Sequence, residues 1–413
     1  MGSPQYTHSA SGTDFVHTHP KPTTSTMKIL ILSCNTGEGH NSCAKALQIA
    51  MQRRDITCEV QDTLALVSEG LSQRIGDAYL FSTRGSLFEF MYKFGGFVSS
   101  NFDSWQSIVY GANQLYAKKL YDYIKQNHFD IIVCVHLFPA EAITALKRKM
   151  HLAIPSYFIM TDYTCIPFLQ ETDLDYYIIP HEHLIEEFVE KGLPREKLVP
   201  IGIPIDEQKF RTRLPKVKAR TLLLQNNPSI PKNGHWYLVM SGSMGYGNIE
   251  QLIGQLLKEI HPEDTVICVC GRNENLLHSL QTHFSDQQLW LLGFTNQVST
   301  LMDASDVIFS KPGGITSTEA IVKNIPLVHT HPIPGLENHN AHFFHQHGMS
   351  YFTTDIQQQV TVAKRLCEDA TFRKQMILSQ QANANPHSSD DVINLILQNV
   401  NKTITISTDH AAH

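Results

Sequence analysis

The chain has 413 residues, 42% of them hydrophobic and 17% charged, with a formal charge of −6. That length suits two or three domains with full apolar cores. The thinly spread, slightly acidic charge argues against a nucleic-acid binder, which needs a concentrated basic face.

Residues 1–26, rich in Ser, Thr, His and Pro, lack an apolar signal core and read as a disordered tail, with Met27 as a second candidate start. The folded chain opens on Met27-Lys28-Ile29-Leu30-Ile31-Leu32-Ser33, an apolar run of strand length. The loop Asn35-Thr36-Gly37-Glu38-Gly39-His40 follows, then a helix with Ala44, Leu47, Ala50 and Met51 at helical spacing. Further strands are predicted at 57–61, 130–136, 156–160, 176–179 and 198–201. Over 205–234 basic residues, Pro, Asn and Gln replace the apolar rhythm, which predicts a linker. The pattern then restarts, with a strand at 235–241, a glycine loop at 242–247 and a helix at 249–260. Strands at 265–270, 290–293, 307–310 and 327–329 follow, and helices at about 356–368, 372–383 and 390–400 close the chain. Such alternation predicts an α/β protein of two Rossmann-like domains, 27–204 and 235–385, with parallel sheets facing a central cleft, and a C-terminal helix and tail over 386–413. Ligands bind at the carboxyl ends of strands in such sheets, and the glycine loops all follow strands.

The most specific motif is Lys311-Pro312-Gly313-Gly314-Ile315-Thr316-Ser317-Thr318-Glu319, which follows the apolar run Asp306-Val307-Ile308-Phe309-Ser310. Strand, glycine turn and helix N-terminus together form a phosphate cradle, because unpaired N–H groups and the helix dipole point at the anion. Glu319 is badly placed for phosphate and well placed to accept hydrogen bonds from ribose hydroxyls. A second Pro-Gly turn brings Glu337 and Asn340 in Pro334-Gly335-Leu336-Glu337-Asn338-His339-Asn340. The two elements predict a bound nucleotide-sugar. The loop from Gly242 to Gly247 is a second phosphate-cradle candidate and lacks the lysine of an ATPase loop.

In the first half, Gly37-Glu38-Gly39-His40 either brings His40 to the cleft as a general base or is a plain turn whose histidine caps or packs. Asp162, in Thr161-Asp162-Tyr163 after a predicted strand, either faces an acceptor or makes an Asx turn. Six histidines fall in 329–347, with His339, His342 and His345 at helical spacing, but no Cys or Asp completes a ligand set and no metal is expected. Cys268 and Cys270 share one face of a strand without a second such pair, a poor zinc or redox site. The other cysteines mostly lie in apolar runs, like Cys134 in Ile131-Ile132-Val133-Cys134-Val135, as buried reduced thiols of a cytosolic protein do. No apolar run reaches the roughly 18 residues of a bilayer span. The aromatic stretch 79–105 reads either as a segment resting in the headgroup layer or as an insertion packed on the first domain.

From about Met27 to Asn385 the chain resembles the monogalactosyldiacylglycerol synthases and bacterial processive diacylglycerol glucosyltransferases of glycosyltransferase family 28. The peptidoglycan lipid-linked N-acetylglucosaminyltransferase belongs to the same family. The motifs are residues 32–40, Thr161-Asp162, Gly202-Ile203-Pro204, Ser241-Gly242-Ser243-Met244-Gly245, Gly293-Phe294, 311–319 and 333–340, and it is their order and spacing together that are specific. The resemblance implies a GT-B fold, a UDP-sugar in the second domain and a lipid acceptor in the first. It implies an inverting transfer of a hexose at the cytoplasmic face of the cell membrane, by a peripheral enzyme without a tightly bound metal or other cofactor. By the same resemblance Glu319 holds the ribose, and Gly313, Gly314 and Thr316 lie by the diphosphate. Glu337 and Asn340 face the sugar, and Gly242, Ser243, Met244, Gly245 and Phe294 complete the donor site. Gly37, Gly39 and Thr161 line the acceptor side, with His40 as base and Asp162 as its aid. Many members carry Gln after the second Pro-Gly, where this chain has Leu336, which cannot bond sugar hydroxyls. Glucose, galactose and N-acetylglucosamine therefore stay open as donor sugars. The same scaffold also suits a UDP-sugar epimerase or a non-catalytic UDP-sugar sensor, whereas a dehydrogenase would need a G-x-G-x-x-G that the first loop lacks.

Overall fold

In a computed structural model of the chain the described residues are 27–34, 38–63, 65–66, 108–225, 230, 233–240, 248–333 and 335–410. The predicted tail, the aromatic stretch 79–105, Gly37 and the loop with Gly242, Ser243, Met244 and Gly245 lie outside them.

The first sheet holds β1 (Lys28–Ser33), β2 (Thr57–Asp62), β3 (Ile131–Cys134), β4 (Ser156–Ile159), β5 (Tyr176–Ile179) and β6 (Leu198–Pro200). Their order is β2-β1-β3-β4-β5-β6, and every pairing is parallel. Strands covered on both faces read as unbroken apolar runs. Ile29, Leu30, Ile31 and Leu32 of β1 accordingly have no exposed surface. Helices α1 (Glu38–Gln52), α2 (Ile108–Asn127), α3 (Leu137–Met150) and α4 (Ile185–Glu190) belong to this domain.

The segment 205–234 carries two helices, α5 (Glu207–Phe210) and α6 (Lys216–Leu224). Helix α6 is docked on the second domain: Arg220 Nη2 bonds Asp306 Oδ2 at 2.8 Å and its guanidinium lies 4.7 Å from the centre of the Trp236 ring. The buried Lys323 Nζ reaches both Asp303 Oδ2 (2.8 Å) and the carbonyl of Thr212 (2.7 Å). What the composition marks as a linker is thus pinned to the second domain.

That domain's sheet holds β7 (Trp236–Met240), β8 (Thr265–Val269), β9 (Leu289–Leu292), β10 (Val307–Ser310), β11 (Leu327–His329) and β12 (Tyr351–Phe352). The order is β12-β11-β10-β7-β8-β9, again all parallel. The two-residue edge strand β12 is absent from the sequence expectation because two residues carry no period. The helices are α7 (Ile249–Glu259), α8 (Glu274–His283), α9 (Val298–Ala304), α10 (Gly314–Val322), α11 (Leu336–Gln346), α12 (Ile356–Glu368) and α13 (Ala370–Asn383).

Helix α14 (Ser388–His410) returns to the first domain, where Asn394 Oδ1 accepts from Arg54 and Asn399 donates to the Tyr157 hydroxyl. The chain therefore crosses between domains twice, and the crossings lie side by side. Asn385 Nδ2 donates to the carbonyl of Ile201, Ser388 Oγ to that of Ile203 and Ser389 Oγ to that of Ile205, at 2.8–2.9 Å.

Candidate active site

In each sheet the strand order reverses at one point, where the loops from neighbouring strands diverge and leave a crevice. In the first sheet this point lies between β1 and β3, in the second between β7 and β10. The loop after β1 leads to His40, and β3 leads to His136. The loop after β10 is Lys311-Pro312-Gly313, which opens α10.

His40 lies in the first turn of α1 and is partly exposed. Its Nδ1 is 2.8 Å from the carbonyl of Val135 and 3.1 Å from Thr161 Oγ1. A carbonyl only accepts, so Nδ1 carries the proton and Nε2 keeps its lone pair. Burial holds the pKa of His40 below the ordinary 6.5, while Asp162 and the bond to Val135 pull the other way. At neutral pH the ring is therefore a proton acceptor. Thr161 is buried, and Asp162 beside it is partly exposed.

On the other side, α10 begins after Gly313, and its first-turn Thr316 is partly exposed. Glu319 is also partly exposed at the surface of α10. Burial, then repulsion from Asp206, pushes its carboxyl up to about 8, with Lys209 opposing. Phe294, after β9, is 71% exposed and lies under Arg272 at 5.5 Å, an aromatic face open for stacking.

Glu337 and Asn340 are both engaged with protein. Glu337 Oε2 accepts from the N–H of Ile333 at 2.8 Å, and Oε1 pairs with Lys311 Nζ. Asn340, fully buried, donates to Asp162 Oδ1 (2.9 Å) and to the Pro312 carbonyl (3.0 Å), and accepts from the Tyr163 N–H (2.6 Å). The sequence expectation turns Asn340 towards a sugar, whereas in this structure its amide joins the two domains. Other contacts close the same seam. Tyr163 OH lies 3.0 Å from Thr318 Oγ1, and His183 Nδ1 lies 2.7 Å from His347 Nε2. A Cβ on Gly39 would sit 3.6 Å from Ile315, and one on Gly314 only 2.0 Å from the carbonyl oxygen of Thr161.

The structure thus brings His40, Gly39, Thr161, Asp162, Gly313, Gly314 and Asn340 to one interdomain seam. It adds Tyr163, whose partners are distant in sequence, and His136, whose signal was present as a histidine ending an apolar strand. His136 packs edge-on against His40, with ring centres 4.7 Å apart. The spaced histidines His342 and His345 instead pack on Phe352 and Tyr351.

Two parallel Rossmann-like domains meeting at their switch-point loops, with His40 near the N-terminus of a facing helix, make up a GT-B fold. Residues 40–205 match the family model described as monogalactosyldiacylglycerol (MGDG) synthase. A processive diacylglycerol beta-glucosyltransferase of Bacillus cereus is 26% identical over 386 residues, which cover 90% of this chain and 93% of that protein. The solved structure of Acinetobacter baumannii MurG superposes with a TM-score of 0.61 at 15% identity, over 90% of this chain and 99% of MurG. Anabaena HepE in complex with UDP and glucose superposes with a TM-score of 0.55 at 16% identity, over 90% of this chain and 99% of HepE. The chain is thus similar to monogalactosyldiacylglycerol synthases over residues 40–205 and to processive diacylglycerol glucosyltransferases over most of its length.

Proposed function

We propose that this enzyme transfers a hexose, with inversion, from a UDP-sugar to the hydroxyl of a diacylglycerol-type lipid, and that His40 is the base. The observation that carries the reading is the His40 Nδ1 bond to the Val135 carbonyl, which leaves Nε2 as a lone pair in the crevice opposite the N-terminus of α10. His40 Nε2 takes the acceptor proton, and the acceptor oxygen forms its bond to the anomeric carbon. The bond from that carbon to the diphosphate breaks, and its electron pair leaves with UDP. Charge developing on the leaving diphosphate is met by the N–H groups at the start of α10, around Gly313, Gly314 and Thr316, and by the positive helix end. Glu319 accepts from the ribose hydroxyls, and Phe294 stacks on the uracil. Asp162, held by Asn340, steadies the imidazolium that forms on His40.

Leu336 presents an apolar side chain where a hydrogen-bonding one would read sugar hydroxyls, so less of the sugar is recognised through that position. The B. cereus relative's name favours glucose as donor and a diacylglycerol as acceptor. Among the described residues no helix is long and apolar enough to cross a membrane. In our reading the enzyme meets its lipid from the surface, at the cytoplasmic face of the membrane. A panel of UDP-glucose, UDP-galactose and UDP-N-acetylglucosamine against diacylglycerol vesicles, read by mass spectrometry, tests the assignment. A glycosyl-diacylglycerol product is expected; isomerised UDP-sugar without lipid product would favour an epimerase and sink it.

A further inference from the structure

His183 and His347 meet across the domain boundary and take no part in the mechanism above. His183 sits in the short helical turn Glu182–Leu184, after β5 of the first domain, and His347 is the C-cap of α11 in the second. His347 Nδ1 lies 2.8 Å from the Phe343 carbonyl. A carbonyl only accepts, so Nδ1 carries the proton and Nε2 keeps its lone pair. The ring also packs face to face on Phe343, with centres 4.2 Å apart. A histidine that donates one ring N–H to a backbone carbonyl is fixed in tautomer and orientation as metal ligands are.

His183 Nδ1 lies 2.7 Å from that Nε2. In the neutral pair the one hydrogen between the two nitrogens therefore belongs to His183. Two imidazole nitrogens bound to one ion at about 2.0–2.1 Å are roughly 2.9–3.4 Å apart. An ion that displaces the hydrogen thus needs the rings to part by less than about 1 Å. The surroundings suit a positive charge. The pair lies at the C-terminal end of α11, where the helix dipole favours a cation. His181, with its ring centre 4.7 Å from that of His183 and 5.7 Å from that of His347, is held below the ordinary pKa of 6.5 by burial and then by those two rings. It is neutral at pH 7 and does not repel an ion, and the nearby Glu182 adds negative charge.

We propose that His183 Nδ1 and His347 Nε2 together bind a divalent transition-metal ion of the zinc, nickel or copper class, one ligand from each domain, with water in the remaining positions. Imidazole suits those ions, whereas magnesium and calcium take oxygen ligands. The ion has no part in the transfer chemistry; it staples the two domains, whichever reaction the crevice carries out.

The test titrates zinc into the full chain by calorimetry, with magnesium as a second arm. Because the chain has 22 histidines, the readout is the difference between wild type and single substitutions, not total zinc bound. His183→Gln and His347→Gln should each weaken one site by at least about 10-fold, the least that losing even an outer partner of a metal costs. His339→Gln, at an exposed position of α11, should bind as wild type does. Zinc should raise the wild-type melting temperature, and each of the first two substitutions should remove that rise. Magnesium should have no such effect. A zinc site that survives either His183→Gln or His347→Gln lies within one domain and overturns the proposal. So does a wild type whose melting temperature zinc leaves unmoved. Should His347→Gln fail to fold, His183→Gln decides alone, since His183 is exposed.

Discussion

The proposed role of His40 as base follows from one of its nitrogens being engaged by the Val135 carbonyl. His40→Ala should lower kcat by about 10²–10⁴, with donor affinity unchanged. Since burial depresses the pKa of His40, the neutral form persists below the usual histidine range. The acid limb of kcat/KM for the lipid should therefore lie below pH 6.5, and a limb above it would contradict the tautomer argument. Glu319 behaves in the opposite sense. With its carboxyl pushed up to about 8, it is mostly protonated at pH 7 in the ligand-free enzyme. Accepting two ribose hydroxyls requires the carboxylate. UDP-glucose binding at pH 7 should then release roughly one proton, seen in calorimetry as a heat that depends on the buffer. Glu319→Gln should bind more weakly and release none, whereas a buffer-independent heat in the wild type would remove Glu319 from the ribose.

At the scale of elements, the strands are readable from sequence because both sheet faces are covered, so each strand is a continuous apolar run, as in Val307–Ser310. Helix α6 is not, since its basic residues look like linker until Asp306 is seen to receive them. The loops that follow strands reveal His40 and Glu319. The partners of Asn340 stay hidden, because Tyr163 lies 177 residues away in the chain. Histidine-rich sequence also hides individual roles. The buried His329 at the end of β11 bridges Ser317 of α10 and Ser350 before β12, at 3.0 Å to each hydroxyl. Burial lowers its pKa from 6.5 to about 3. The unfolded chain therefore binds a proton that the folded one refuses over that window. Stability should be full above pH 6.5 and fall as pH drops towards 3, by on the order of 4 kcal/mol from this group. His329→Gln should be less stable than wild type at pH 7, and the gap should narrow as the solution is acidified. A gap that stays constant with pH in denaturant titrations would show that His329 does not titrate as buried.

At the scale of the whole molecule, Gly314 of the second domain lies tight against the Thr161 backbone of the first. A methyl there would lie 2.0 Å from the Thr161 carbonyl oxygen, so backbone must move. Gly314→Ala should hold the crevice open and misplace the two substrates, costing about 10²-fold in turnover. UDP affinity should change little, because the donor domain is intact, and normal turnover would show that this contact is not part of the working state. The paired crossings near Ile201–Ile205 and Asn385–Ser389 bear on how such opening proceeds. One flexible tether would leave the domains free to rotate about three axes. Two crossings bonded to each other favour one, the line through the crossings themselves. Motion about a single axis returns every loop to the same register after each opening. Under the proposed mechanism, a hinge of that kind brings lone pair, anomeric carbon and leaving diphosphate back into line without a separate search.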